Sequence, residues 1–263
     1  MKKAYLWLLL PLILSAYDDG DFDGVEDAFD KCPNSSFTDI VDKDGCSVAT
    51  LTSPHSFDMI FGIAFSQNNQ KTLSDTPTSY GSIQLDYFYK DFTASISFGG
   101  YSDENTTALN DTVLGAYNRF YLDKSWSLSL GGSIILPTYD TGLKNEAVDY
   151  AISAEVLYTK ELFSAFISST YSFINDKDTT DIRYQDTTAL FLGSGYTFND
   201  SFYASLSYYY SQSIYSEVVD IENISIYMYY AIDTTYFLTC NYALGLSDST
   251  SANYLSLRFG INF

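Results

Sequence analysis

The chain closes on Tyr254-Leu-Ser-Leu-Arg-Phe-Gly-Ile-Asn-Phe263. Side chains alternate across a β-strand, so Leu255, Leu257, Phe259, Ile261 and Phe263 share one face. Tyr254, Ser256, Arg258, Gly260 and Asn262 share the other. One face is wholly apolar; the other is small, polar and carries a single charge. A strand of a soluble sheet would present Lys and Glu to water on its outer side. This one has an apolar side suited to lipid and a polar side suited to a narrow, wet interior.

The same grammar runs back to Ser56. Twelve stretches alternate in this way, near residues 56–66, 79–89, 92–101, 111–122, 125–136, 147–159, 162–174, 186–198, 201–213, 221–232, 235–246 and 252–263. Their connections alternate between tight turns, such as Lys90-Asp91 and Lys160-Glu161, and longer polar stretches, such as Ser102–Asn110 and Asn175–Gln185. Short turns on one rim and long loops on the other are expected of a meandering membrane barrel, and an even strand count returns both ends to the short-turn rim. Aromatic residues frame the short turns: Tyr89 and Phe92, Tyr121 and Trp126, Tyr158 and Phe163, Phe198 and Phe202. Rings gathered at one level suit the boundary between lipid and water. The inner faces are built from Ser, Thr and Gly, as in Ser127, Ser129, Gly131 and Ser133. These patterns predict an all-β, antiparallel up-and-down transmembrane β-barrel of about 12 strands over residues 56–263. In the 111–122 strand, strict alternation sends either Asn118 or Arg119 to lipid. A lipid-facing arginine costs about 2–4 kcal/mol at mid-bilayer, so Arg119 is assigned inward and Asn118 to a bulge or to the rim.

Residues 1–16 read as a secretory signal peptide, with Lys2 and Lys3 ahead of a short apolar run that ends at Ala16. That run is shorter than the roughly 20 residues a membrane-spanning helix needs. The chain holds 33 acidic and 13 basic residues, a net charge of −20, which excludes nucleic acid as a partner and favours divalent cations. Secretion implies an oxidising compartment, where Cys32 and Cys46 are near enough in sequence to close a small loop as a disulfide. Cys240 is then left as an apolar residue, buried or facing lipid.

Residues 17–47 are acidic and irregular, and residues 48–55 read as a linker. Asp19, Asp21 and Asp23 stand at alternate positions before Gly24, with Asp27 and Asp30 beyond. Such a ladder lets a loop wrap a hard cation in oxygen ligands; the alternative is a solvated acidic linker. An EF-hand would end on a bidentate Glu that this loop lacks. The spacing resembles the thrombospondin type 3 repeat, Asp-x-Asp-x-Asp-Gly-x-x-Asp-x-x-Asp-x-Cys. That resemblance implies calcium held by Asp19, Asp21, Asp23, Asp27 and Asp30, and a Cys32–Cys46 bridge. A similar segment joins barrel to peptidoglycan-binding domain in the OmpA family. Here the repeat comes first and no such domain follows, so wall anchoring is not carried over. The final strand resembles the terminal strand of Gram-negative outer-membrane barrels. That implies Phe263 as an assembly signal for the barrel-assembly machinery, a setting of outer-membrane lipid and lipopolysaccharide, and a periplasmic N-terminal segment.

On this register the charges facing the lumen are Asp58, Asp86, Asp149 and Glu155 against Arg119 and Arg258. Tyr203, Tyr209, Tyr227 and Tyr229 also point inward. Two readings stay open. The acids line a cation-leaning pore with the arginines setting a transverse field, or the charges pair and plug a narrow barrel. His55, the only histidine, stands at the short-turn end of the first strand, with no serine or acid set to form a catalytic group, and no zinc set can be assembled around it. The expected role is passive passage of small solutes or cations rather than catalysis. The alternative is a non-conducting structural or surface-interaction barrel.

Overall fold

The computed structural model describes residues 21, 25–35, 39–50, 53–67, 77–138, 147–180 and 182–263. It divides into an N-terminal unit, Met1–Pro54, and a barrel unit, His55–Phe263. The signal-peptide reading, with Asp19 and Asp23, lies outside the described residues.

The barrel unit is formed by β3 (His55–Gln67), β4 (Pro77–Tyr89), β5 (Phe92–Ser102), β6 (Thr107–Leu109), β7 (Thr112–Tyr121), β8 (Trp126–Leu136) and β9 (Asp149–Lys160). It continues through β10 (Phe163–Phe173), β11 (Thr187–Asn199), β12 (Phe202–Ser211), β13 (Ile221–Ala231), β14 (Tyr236–Gly245) and β15 (Asn253–Asn262). Every neighbour is antiparallel, the ring follows chain order except that β7 pairs with β5 past β6, and β15 pairs with β3 from Asn253↔Gln67 to Asn262↔Asp58, closing the ring. Beyond that ladder, the backbone of Phe263 exchanges both hydrogen bonds with Phe57, at 2.8 and 3.2 Å. All twelve strands read from the sequence are present. The three-residue β6 is an addition: it folds back on β5 within the stretch 102–110, which reads as plain loop because three residues are too few to show alternation.

The burial pattern is that of a soluble protein turned inside out. Among the described residues the buried side chains are chiefly Ser and Thr, including Ser66, Thr78, Ser127, Thr187, Ser207 and Ser225. The only buried apolar side chains among the described residues are Ile60, Ala64, Ala151 and Ala243. Phe61, Ile63, Phe65, Ile152, Ile167 and Leu206 are exposed on the outer wall, where lipid takes the place of a core. Strands of ten to thirteen residues, tilted as barrel strands are, match a lipid band about 25 Å tall. Rings cluster at the short-turn rim, as in Trp126 with Tyr158 at 4.8 Å and Phe198 with Phe202 at 5.4 Å between centroids.

The short turns are closed by local chemistry. Asp123 Oδ1 accepts from the backbone N–H groups of Ser125 and Trp126, and Asp233 Oδ1 does the same for Thr235 and Tyr236. In the N-terminal unit β1 (Asp39–Val41) pairs with β2 (Ser47–Thr50). The irregular and linker readings of these residues are corrected to a small hairpin. It escapes sequence reading because its strands have only three and four residues. Gly45, at φ 76°, supplies the left-handed turn between them. Asp42 accepts from the N–H groups of Asp44 and Cys46, which hold its carboxyl below the usual carboxylate range. Cys32 and Cys46 are joined by a disulfide across the unit.

Candidate functional site

The site is the barrel lumen, and the pairing register decides what enters it. Ser56, Asp58, Ile60, Gly62, Ala64 and Ser66 form the inner face of β3, and every neighbour's inner face follows by cross-strand pairing. The register places Asp58, Asp86, Arg119, Asp149, Glu155 and Arg258 on the inner face. Asn118 pairs with Phe92 and Leu130 on the outer face, without a bulge in β7. Phe92 opens β5 beside the turn, so Asn118 sits near the headgroup rim. Cys240 pairs with Leu257 and Met228 and faces outward.

The inner charges do not neutralise each other by contact. Among the described residues none of these six forms an ion pair with another. Arg258 Nη2 donates to Gln84 Oε1, and Gln84 Nε2 donates to both Asp86 oxygens at 2.9 and 2.8 Å. This relay runs along the wall, because the Arg258 stem lies across Gly62, where a Cβ would meet it at 3.3 Å. Arg258 Nε is buried without a hydrogen-bond partner. Asp58 and Asp86 are cross-strand neighbours; Asp58 Oδ1 accepts from Asn262 Nδ2 at 2.8 Å.

Two cavities follow the lumen. The larger, about 650 Å³, is lined by Glu155, Arg258, the rings of Phe166, Phe191, Tyr203, Tyr209 and Tyr227, and hydroxyls including Ser205, Ser207 and Ser225. The smaller, about 310 Å³, reaches the short-turn rim at Asp58, Asp233 and Asn262, with Tyr229 among its walls. They share Tyr227, Thr239 and Arg258, which therefore mark the boundary between them. At the long-loop end Asp111, Asp176 and Asp186 lie close enough to Asp149 to repel it electrostatically.

Two features of the lumen were not foreseen from the sequence. Asp111, Asp176 and Asp186 belong to strand ends and loops, where alternation assigns no face. Phe166, Phe191 and Leu157 face inward although apolar, and pair with Gly193, Ser168 and Ser127. A usable signal existed: inward glycines opposite inward rings. Tyr203 lies over Gly195, where a side chain would collide with its ring, and its hydroxyl reaches Ser164 Oγ at 3.1 Å. The missing side chain at Gly195 thus lets the Tyr203 ring lie against the wall.

In the N-terminal unit the predicted calcium ligands do not converge among the described residues, where no group of three candidate ligands meets. Asp21 Oδ2 accepts from Ser35 N at 2.7 Å and Asp30 Oδ1 from Cys32 N at 2.7 Å. Asp30 Oδ2 is buried without a partner. His55, at the short-turn end of β3, contacts the Tyr87 hydroxyl through Nδ1 at 2.7 Å.

Among solved structures, the NanC porin superposes with a TM-score of 0.55 at 10% identity, covering 79% of this chain and 98% of that one. The KdgM porin in complex with disordered oligogalacturonate gives a TM-score of 0.50 at 11% identity, with the same coverage. These likenesses establish the fold: an outer-membrane type of barrel. No curated protein matches the sequence. The family model described as "Putative MetA-pathway of phenol degradation" matches residues 47–256, most of the chain and nearly all of the barrel, and the chain belongs to that family.

Proposed function

We propose that the protein is an outer-membrane channel for the passive passage of small solutes, with a preference for cations. The observation that carries this reading is that Asp58, Glu155 and Arg258, without ion-pair partners among the described residues, line two lumen cavities of about 650 and 310 Å³. Charges out of contact with a counter-charge must be solvated, because an unpaired, dry ion costs several kcal/mol or more. Asn262 and Gln84 satisfy part of that need at Asp58, Asp86 and Arg258, and a water-filled lumen supplies the rest. The acids at both ends, Asp149 with its three neighbours and Asp58 with Asp233, favour cation access.

Purified protein in planar bilayers is expected to conduct with a reversal potential that favours potassium over chloride. Asp149→Asn is expected to lower that permeability ratio roughly twofold by removing one charge from the acidic end. Absence of current across a range of salts would sink the channel reading and leave the structural or surface-interaction barrel.

We also propose that the N-terminal segment binds calcium. Supporting this are the buried, unpartnered Asp30 Oδ2, a free oxygen ligand for a hard cation, and the disulfide beside it. Asp21 and Asp27, with Asp19 and Asp23 outside the described residues, complete the set that the repeat implies. Asp30→Asn in the full-length protein is expected to weaken calcium binding about tenfold, read by titration calorimetry. Equal heats for both proteins would count against Asp30 as a ligand.

A further inference from the structure

Glu155 and Arg258 oppose each other across the larger cavity. Their strands, β9 and β15, are six steps apart in either direction around the closed ring, so the two walls are diametrically opposite. Each residue lies four or five positions in from its strand's short-turn end, Lys160 or Asn262. Both line the same space of about 650 Å³. They form no ion pair with each other, and the Arg258 guanidinium is pinned to its own wall by Gln84. Between them, on the wall running from β10 to β13, stand Phe166, Phe191, Tyr209 and Tyr227. Phe166 and Phe191 are 5.1 Å apart at their centroids, and Phe191 and Tyr209 are 6.4 Å apart.

This layout treats three kinds of solute differently. A fixed positive charge facing a fixed negative one sets a field across the path, strengthened where the lumen is narrower and less polarisable than bulk water. An anion drawn to Arg258 must first pass the acidic long-loop end and then faces Glu155. A cation drawn to Glu155 is repelled by Arg258 at the boundary between the cavities. A molecule carrying both charges is turned by the field rather than opposed by it, and need not touch both walls at once. The aromatic wall meanwhile offers a flat apolar surface for a ring.

We propose that this chamber favours small zwitterions bearing an apolar ring, the chemistry of aromatic amino acids, with ammonium toward Glu155, carboxylate toward Arg258 and ring on the Phe166–Phe191–Tyr209 wall. The inference rests on the channel reading and specifies its solute. The test is swelling of proteoliposomes in L-phenylalanine, phenyltrimethylammonium and benzenesulfonate, with arabinose as the uncharged reference. The two ions are permanently charged, so neither leaks through lipid in a neutral form.

Relative to arabinose, phenylalanine is expected to enter several-fold faster than either ion. Arg258→Gln is expected to shift the advantage to the cation and Glu155→Gln to the anion, while Arg258→Lys keeps the original order. Heat-modifiable gel migration reports that each variant is folded. No entry of arabinose removes the channel reading and this inference together. Arabinose entry with phenylalanine no faster than the ions, or an order that neither charge removal alters, overturns this inference alone.

Discussion

Replacing Ile167 by arginine is expected to destabilise the barrel by about 2–4 kcal/mol, the cost of a basic residue on a lipid face near the bilayer midplane. Ile167 is next to the middle residue of β10, 53% exposed, and its cross-strand neighbours Val156 and Leu192 share the outer face. The guanidinium has no rim to reach from this depth without thinning the bilayer around it. Ser168, one position on, faces the lumen opposite Glu155 and Phe191. Arginine there stays in water with a carboxylate nearby, so Ser168→Arg is expected to cost less than about 1 kcal/mol. Urea unfolding in lipid vesicles measures both variants against the parent. Similar losses at the two positions would mean that adjacent residues do not lie in different solvents, contradicting the inner and outer faces assigned throughout.

That contrast is also why so much of the fold was legible. Alternation needs only a run of residues longer than a few turns of the pleat, and each of the twelve strands of the ring has ten or more. The cost of placing Arg119 in lipid was enough to set the register of β7, the strand with the least regular pattern. Legibility failed where runs were short. The three residues of β6 and the seven of the β1–β2 pair carry too little pattern to separate strand from loop. It failed again where the surroundings are assembled from distant segments. That Arg258 lies along Gly62 toward Gln84 depends on β15 meeting β3 and β4 at closure, 174 residues away in sequence from Gln84. Periodicity could assign Arg258 to the lumen. It could not show that the side chain lies along the wall at Gly62 and donates to Gln84.

Removing the disulfide with Cys32→Ser and Cys46→Ser is expected to destabilise the N-terminal unit by about 3 kcal/mol, the loop-closure entropy released when a bridge around a loop of this length is lost. The bridge spans a sequence separation of 14, and little else is available to replace it. Gly45 is the only residue of this unit found buried among those described. The remaining ties among the described residues include single contacts: Lys31 N to Asp44 O at 2.8 Å, Ser35 N to Asp21 Oδ2 at 2.7 Å, Ser35 Oγ to Gly45 O at 2.6 Å, and the half-exposed Lys31–Asp44 ion pair at 3.1 Å. An exposed pair of that kind contributes at most about 1 kcal/mol. A unit with no buried apolar side chain among its described residues has little reserve against a loss of that size, so the doubly substituted protein should be open to limited proteolysis between residues 25 and 50. The barrel, a separate unit with its own ladder of hydrogen bonds, should keep its resistance to cleavage and its heat-modifiable migration. If the calcium proposal holds, millimolar calcium slows cleavage of this variant, because a ligand that binds only the folded form adds its binding energy to folding. Protease resistance equal to the parent in chelator would show that neither the bridge nor the cation holds the segment, leaving the β1–β2 pairing and its few hydrogen bonds sufficient alone.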